Sequence, residues 1–275
     1  MFMKFQNDIG TLTFGGRESD CGLLEADGLG LPEQERQTVS YSGIRGQEEL
    51  SSRLLPRIIT LKCLVKKTEL ARFLRVLAER GRLTVTDGKR TRTAEVRCTA
   101  AENAAKMAEQ RRIVIQLTAD DPAFYSETKT LAPICARENL VTGSFTPPCV
   151  FTRRVNGGTL VNSGDVDATP IIRIACLAAA EDCTVTITNA TTGAKIQLTH
   201  DFSAGDVITA DTKNASVTDE AGVNLIACIS DDTYLSDFVF RPGNNEISVV
   251  SSDNTGALTV SCSYFDGFVE AVMDW

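Results

Sequence analysis

The chain is poor in residues that do chemistry. His200 is the only histidine in 275 residues, and Trp275 is the only tryptophan. One imidazole cannot supply the three or four ligands of a zinc centre, and no Cys-x-x-Cys spacing makes up the shortfall. The nine cysteines (Cys21, Cys63, Cys98, Cys135, Cys149, Cys176, Cys183, Cys228, Cys262) are odd in number and lie in apolar or strand-like runs, which suits reduced, buried thiols. A Gly-x-Ser-x-Gly elbow and a Gly-x-x-x-x-Gly-Lys-Ser/Thr loop are both missing, and Gly28-Leu29-Gly30 does not complete a dinucleotide fingerprint. His200 and Asp201 are adjacent near an expected strand end, so they point to opposite faces, and the histidine reads as exposed at a turn. The pairs Asp165/Asp167 and Asp231/Asp232 fall in turn-rich polar stretches, where aspartate serves the backbone more often than it cleaves glycosides. These absences predict a protein that is not an enzyme and that uses no cofactor and no metal.

Long apolar runs are missing too. None approaches the ~20 residues of a membrane span, and the first residues lack the apolar centre of a secretion signal. The expectation is assembly in a cytoplasm, away from membranes. Positive charge is in deficit: 28 Lys/Arg against 36 Asp/Glu give −8. Residues 1–125 carry 20 against 17 and residues 126–275 carry 8 against 19, so the second half is the acidic one. A nucleic-acid binder needs a concentrated basic surface, which this balance does not provide.

What the chain does have is strand after strand. Its length favours two units, each able to bury its own core. The spacing predicts residues 1–125 as a first β-rich domain, 126–150 with Pro133, Pro147 and Pro148 as a linker, and 151–275 as a second. In the first, Arg57 to Val65 reads as a strand. Leu70, Phe73, Leu74 and Leu77 then mark one face of a helix near 68–80, capped by Thr68 and stopped by a left-handed Gly81. Asp87-Gly88 suits a hairpin turn, and Ala101 to Gln110 favours a helical turn by composition. The stretch 27–53 is polar and turn-rich, a long surface arm. In the second domain, Thr184–Thr188 and Lys195–Leu198 flank a Thr-Gly turn. Glu246–Ser251 and Leu258–Tyr264 flank Asp253–Gly256 in the same way, as neighbouring antiparallel strands. The class is mainly β: a sandwich or barrel-like domain with one helix, then two antiparallel sheets face to face. Such sandwiches often stack a sugar on an exposed aromatic, so a carbohydrate-binding module for a host cell surface is the alternative. After residue 150 only Tyr234, Tyr264 and Trp275 could offer more than a phenyl ring.

Several segments occur in an order that resembles a known family. They are Gly28-Leu29-Gly30-Leu31-Pro32, Arg57-Ile58-Ile59-Thr60-Leu61 ahead of a helix, and Leu117-Thr118-Ala119-Asp120-Asp121-Pro122-Ala123-Phe124. Asn162-Ser163-Gly164-Asp165, Thr169 to Ile174, Asn189 to Gly193, Ser203 to Asp211 and Phe238 to Ile247 follow. The order is similar to that of siphophage distal tail proteins, of the phage tail-component family. That resemblance implies a tail-tube-type N-terminal domain and a galectin-like C-terminal sandwich. It also implies a homo-hexameric ring, single or stacked in pairs, at the distal end of the virion tail. Its neighbours would be the major tail-tube protein, the tail-tip hub protein, and tape-measure or receptor-binding proteins, with DNA passing through the channel unbound. Six copies at −8 each would carry −48, which favours sliding over sticking. Open strand edges in the first half would be capped by a neighbouring subunit. Gly28, Leu29, Gly30, Leu31, Pro32 and Arg57 are the candidate inter-subunit contacts.

Overall fold

The protein is described by a computed structural model over residues 1–16, 19–43, 45–106, 109–139, 152–252 and 258–271. The chain divides into two compact units: Met1–Glu127 joined by the segment from Phe268 onward, and Thr128–Gly267.

The first unit contains β1 (Phe2–Gln6), β2 (Thr11–Phe14), β3 (Cys21–Asp27), β4 (Gln34–Val39), β5 (Glu48–Leu54) and β6 (Arg57–Lys66). Helix α1 (Leu70–Leu77), β7 (Gly81–Thr86), β8 (Thr91–Lys106), β9 (Gln110–Ala119) and β10 (Phe124–Ser126) follow. Seven strands run in the order β8-β7-β1-β2-β3-β6-β9, and β9 pairs back onto β8. The result is a closed barrel, not a sheet with free edges. Closure pairs the wall strands on both sides except at the β2–β3 seam, where Phe14 and Cys21 make the one parallel pair, so most of the expected subunit-capped edges are absent from the barrel wall. Period-two alternation builds it: Ile59, Leu61, Cys63 and Val65 of β6 point inward, as do Ile113, Ile115 and Leu117 of β9. Burying each such side chain contributes about 1.5–3 kcal/mol.

The helix is shorter than expected, and both of its ends differ. Its N-cap is Glu69, without a side-chain bond, and Gly81 is not left-handed. Gly81 instead opens β7 where any Cβ would fall 2.6 Å from the Phe5 ring and 2.7 Å from the Gln6 carbonyl oxygen, so close approach of β1 demands glycine there. The buried stripe is Phe73, Val76 and Leu77, with Phe73 edge-on to Phe14 at 6.0 Å. Leu74 is exposed. Residues 101–106, read as a helical turn, are the end of the 16-residue β8. Pairing with β9 from Arg97 to Lys106 overrides the helical preference of the alanines, through two bulges. Asp87 does turn the chain, but as a four-residue loop in which its carboxylate accepts from the Lys89 and Arg90 amides.

Asp20 fastens the helix to the barrel. Its carboxylate accepts from the Thr13 amide and hydroxyl, each at 2.8 Å, and from Arg72 Nη1 at 2.9 Å. Burial alone would raise this carboxyl, but the bonds from Arg72 and Thr13 outweigh it and hold it below the usual range. A depressed carboxyl stabilises above its unfolded pKa, near ~3.9, and the contribution fades as pH falls through the lower folded value. Asp20→Asn is therefore expected to cost about 1 kcal/mol at neutral pH, and the gap from wild type should narrow as pH falls below the unfolded carboxyl value and on through the lower folded one. Urea midpoints at several pH values measure both.

The second unit holds β11 (Thr130–Asn139), β12 (Thr152–Asn162), β13 (Ile171–Cys176), β14 (Ala180–Asn189), β15 (Lys195–Phe202), β16 (Val207–Asp211) and β17 (Ser216–Asp219). Two 3-10 turns, Ile226–Cys228 and Leu235–Asp237, precede β18 (Gly243–Ser251) and β19 (Leu258–Tyr264). A two-residue β20 (Gly267–Phe268) joins the sheet of the barrel. The nine strands β15-β14-β18-β12-β11-β19-β13-β16-β17 form one curled antiparallel sheet whose halves enclose a single core. Pairing of β11 with β12 makes it continuous, where two separate sheets were expected. Residues 130–139, expected in the linker, thus belong to this sheet, while 140–151 lie outside the described residues.

The hairpin of β14 and β15 is as expected, with Ile187 opposite Ile196. Strands β18 and β19 are not neighbours: β18 pairs with β12 and β14, and β19 with β11 and β13, so the chain crosses between the halves. Leu258, Val260, Cys262 and Tyr264 do alternate inward. Three buried asparagines hold the irregular segment before β18. Asn189 donates to the Val239 carbonyl, Asn245 to those of Arg241 and Gly243, and Asn162 to those of Val166 and Phe240. Each side-chain amide donates to backbone carbonyls of irregular segments or their flanks.

Candidate functional site

The site lies in the first unit, at the root of the arm. Leu54 ends β5 and Pro56 precedes β6, and the alternation of β6 puts Arg57 on the same inward side as Ile59 and Leu61. The guanidinium is buried, 2% exposed, and its donors are spent on four carbonyls of its own chain. Nε donates to Pro122 at 2.7 Å, Nη1 to Gly28 at 2.8 Å and to Gly30, and Nη2 to Val269 at 2.5 Å. Its plane lies over the Phe124 ring at 4.6 Å. Burial lowers its pKa to about 10, against a smaller opposing pull from Glu270, so it remains cationic at neutral pH.

Gly28 has φ +82°, and a Cβ there would fall 2.0 Å from the Ile58 carbonyl oxygen. Only glycine lets the loop lie this close to β6. Leu29 is buried in the barrel core, and its carbonyl accepts from the Ala271 amide at 2.9 Å. Pro32 is buried as well. Of the six candidate contact residues, Gly28, Leu29, Gly30, Pro32 and Arg57 are thus occupied in fastening one loop, and Leu31, 63% exposed, is the one large side chain left facing solvent. The structure brings the loop and the arginine together as a staple.

From this staple the arm departs. The Leu55 amide donates to the Glu33 carbonyl at 2.8 Å, closing the neck of a hairpin in which Gln34 faces Leu54 and Val39 faces Glu48. The expected polar arm is thus a two-stranded ribbon of its own, β4 with β5. Apart from the half-buried Val39 and Leu54, both strands are exposed throughout, and neither joins a hydrophobic core. Its cross-strand links are polar: Arg53 Nε to Glu35 at 2.6 Å, Ser51 to Gln37 at 3.2 Å and Arg36 with Glu49 at 3.9 Å. Exposed pairs of this kind contribute little, about 0–1 kcal/mol each. A two-stranded ribbon without an apolar layer is marginal by itself. Yet Leu50, Tyr41 and Leu31 present apolar surface along it, 63%, 51% and 63% exposed. Each strand also keeps one unpaired edge.

Other sequence candidates sit elsewhere. His200 lies within β15, half-buried, instead of exposed at a turn, and Asp201 points away to accept from the Asp182 amide. Asp165 and Asp167 are exposed, and Asp232 is engaged by Lys195 and Ser230. Tyr264 is buried with its hydroxyl donating to Val161, leaving Tyr234 as the exposed tyrosine of the second unit. Eight cysteines are free thiols and six of them are buried; Cys149 lies outside the described residues. Among the described residues no helix is long and apolar enough to cross a membrane. Sequence reasoning missed Val269, whose carbonyl returns to Arg57, because a two-residue strand leaves no periodicity to read. The inward parity of Arg57 ahead of Ile59, Leu61 and Cys63 was the signal for its burial.

Residues 163–266 match the family model of the siphovirus-type tail component, C-terminal domain. None of the curated proteins matches the chain by sequence. Among solved structures, the Dit protein of phage SPP1, described as a paradigm of the hub adsorption apparatus in phages infecting Gram-positive hosts, is similar over 98% of this chain and 99% of its own. The identity is 13% and the TM-score 0.70. Chains of the phage P2 baseplate in its activated conformation, with calcium or with strontium, are similar over 95% of this chain and 97% of theirs, at 9% identity and TM-score 0.50. Residues 163–266 are thus similar to the siphovirus-type tail component, C-terminal domain, and along nearly its whole length the chain has the fold of the SPP1 Dit protein.

Proposed function

We propose that the protein is a non-enzymatic distal tail hub, a homo-hexameric ring joining the tail tube to the tail tip or baseplate. The observation that carries this reading is the SPP1 Dit-like fold over 98% of the chain, together with a tail-component match for the second unit. Outside the short β2–β3 seam the barrel wall is paired within its own chain, so lateral contact passes to the β4–β5 ribbon, whose two strands each keep an open edge. Held at its neck by the Arg57 staple, the ribbon lies across the adjacent copy and covers Leu31, Tyr41 and Leu50. Its open edges take up a strand of the neighbour through backbone bonds.

Charge supports the same arrangement. Residues 1–127 with 268–275 hold 20 Lys/Arg against 20 Asp/Glu, and residues 128–267 hold 8 against 16, so the net −8 resides in the second unit. A ring whose channel is lined by barrels then presents a balanced wall that neither grips nor expels DNA. The ring's axial neighbours are the major tail-tube protein, the tail-tip hub and tape-measure or receptor-binding proteins, and its place is the distal end of the virion tail. Negative-stain images of the purified chain test this: class averages with six-fold symmetry and a central opening are expected. Particles of a single two-lobed molecule would overturn it.

A further inference from the structure

The second unit contains a thiol–imidazole pair. His200 Nδ1 lies 3.6 Å from Cys228 Sγ, with the His200 ring held edge-on by Phe202 at 5.2 Å. Both partners are fixed by backbone. His200 sits inside β15, while Cys228 ends the 3-10 turn Ile226–Cys228, whose exit is pinned to that strand by the Leu198–Ile229 bridge and the Ser230 amide donating to Gln197. His200 also forms part of the wall of a cavity of about 280 Å³, lined besides by Asp206, Asp219, Glu220 and Leu225. Leu225 is the residue that begins the turn carrying the thiol. Six of the eight described cysteines are buried, and Cys98, half-exposed like Cys228, donates to the Ala100 carbonyl and has no imidazole beside it.

We propose that Cys228 is a thiol–disulfide exchange site, with His200 as its proton acceptor, selective for small disulfides with cationic ends. Cys228 Sγ attacks the nearer sulfur of the incoming disulfide as its proton passes to His200 Nδ1. The S–S bond breaks, and the departing thiolate takes the proton back from the imidazolium. The balance is one thiol and one disulfide giving one mixed disulfide on Cys228 and one small thiol, with no further oxidant. Selectivity arises from Asp206, Asp219 and Glu220, which favour an ammonium end and disfavour a carboxylate. Glu220 is partly occupied by Arg173 at 3.0 Å, while Asp206 and Asp219 each accept one backbone amide.

The test incubates the full-length chain with cystamine or with glutathione disulfide at neutral pH and follows adducts by peptide-resolved mass spectrometry. Cys98 serves as the internal control. Cystamine is expected to modify Cys228 roughly tenfold faster than Cys98, and His200→Asn is expected to slow Cys228 by a similar factor without changing Cys98. The cystamine-to-glutathione-disulfide rate ratio should be larger at Cys228 than at Cys98. Equal rates at the two cysteines, or a Cys228 rate indifferent to His200→Asn, would overturn the site. Equal rate ratios would overturn its ligand class. Should the variant fail to fold, as judged by circular dichroism, the wild-type ratio between Cys228 and Cys98 decides alone.

Discussion

Arg57→Met will lower the stability of the first unit by about 3–5 kcal/mol, because a buried cation that ties four part-buried carbonyls together is lost and all four lose their donor at once. For a domain of this size that is a fall of roughly 10–15 °C in the unfolding midpoint. The mechanism is not the loss of a charge pair. The guanidinium is the common partner of Gly28, Gly30, Pro122 and Val269, three separate chain segments that no strand ladder joins. Arg57→Lys will recover only part of the loss. An ammonium has three donors on a flexible stem, and it cannot reproduce a planar fork stacked on Phe124. Thermal denaturation of wild type and both variants measures the series, with the order wild type, lysine, methionine expected. A methionine variant as stable as wild type would show that the staple is replaceable by apolar packing.

Removal of the ribbon has a large effect of a different kind. The Leu55 amide already touches the Glu33 carbonyl, so residues 34–54 can be replaced by a two-residue Gly-Ser turn without disturbing the barrel. Those residues contribute nothing to either core, and their ion pairs are exposed, so the unfolding free energy should change by less than about 1 kcal/mol. Assembly should be lost entirely. The apolar side chains of Tyr41 and Leu50 and the two open strand edges leave with the ribbon. Sedimentation velocity separates the two outcomes: a folded monomer is expected for the shortened chain. Rings that persist without the ribbon would move the lateral contact elsewhere.

The sequence carried the strand content well, because alternation in β6, β9, β14 and β19 follows directly from one buried face. It carried closure poorly. Whether β9 returns to β8 depends on two bulges near Cys98 and Asn103 that have no composition of their own. It misread residues 101–106 since alanine prefers helix until a partner strand is present. Strands β18 and β19 looked like a hairpin, because short polar connections say nothing about which half of a curled sheet the chain enters next. The loop 28–32 and Arg57 were noticed together, yet as surface contacts. Their fastening to one another rests on a left-handed Gly28 and on Val269, more than 200 residues downstream of Arg57. His200 was read as exposed because its thiol partner, Cys228, is brought to it by tertiary pairing alone.

Whether copies of the chain close sideways on one another is tested most directly by mass. Light scattering on the purified full-length chain should give a mass of six subunits at 29.7 kDa each, or about 178 kDa, or twice that for stacked rings. A constant mass of one subunit up to the highest attainable concentration would contradict the account.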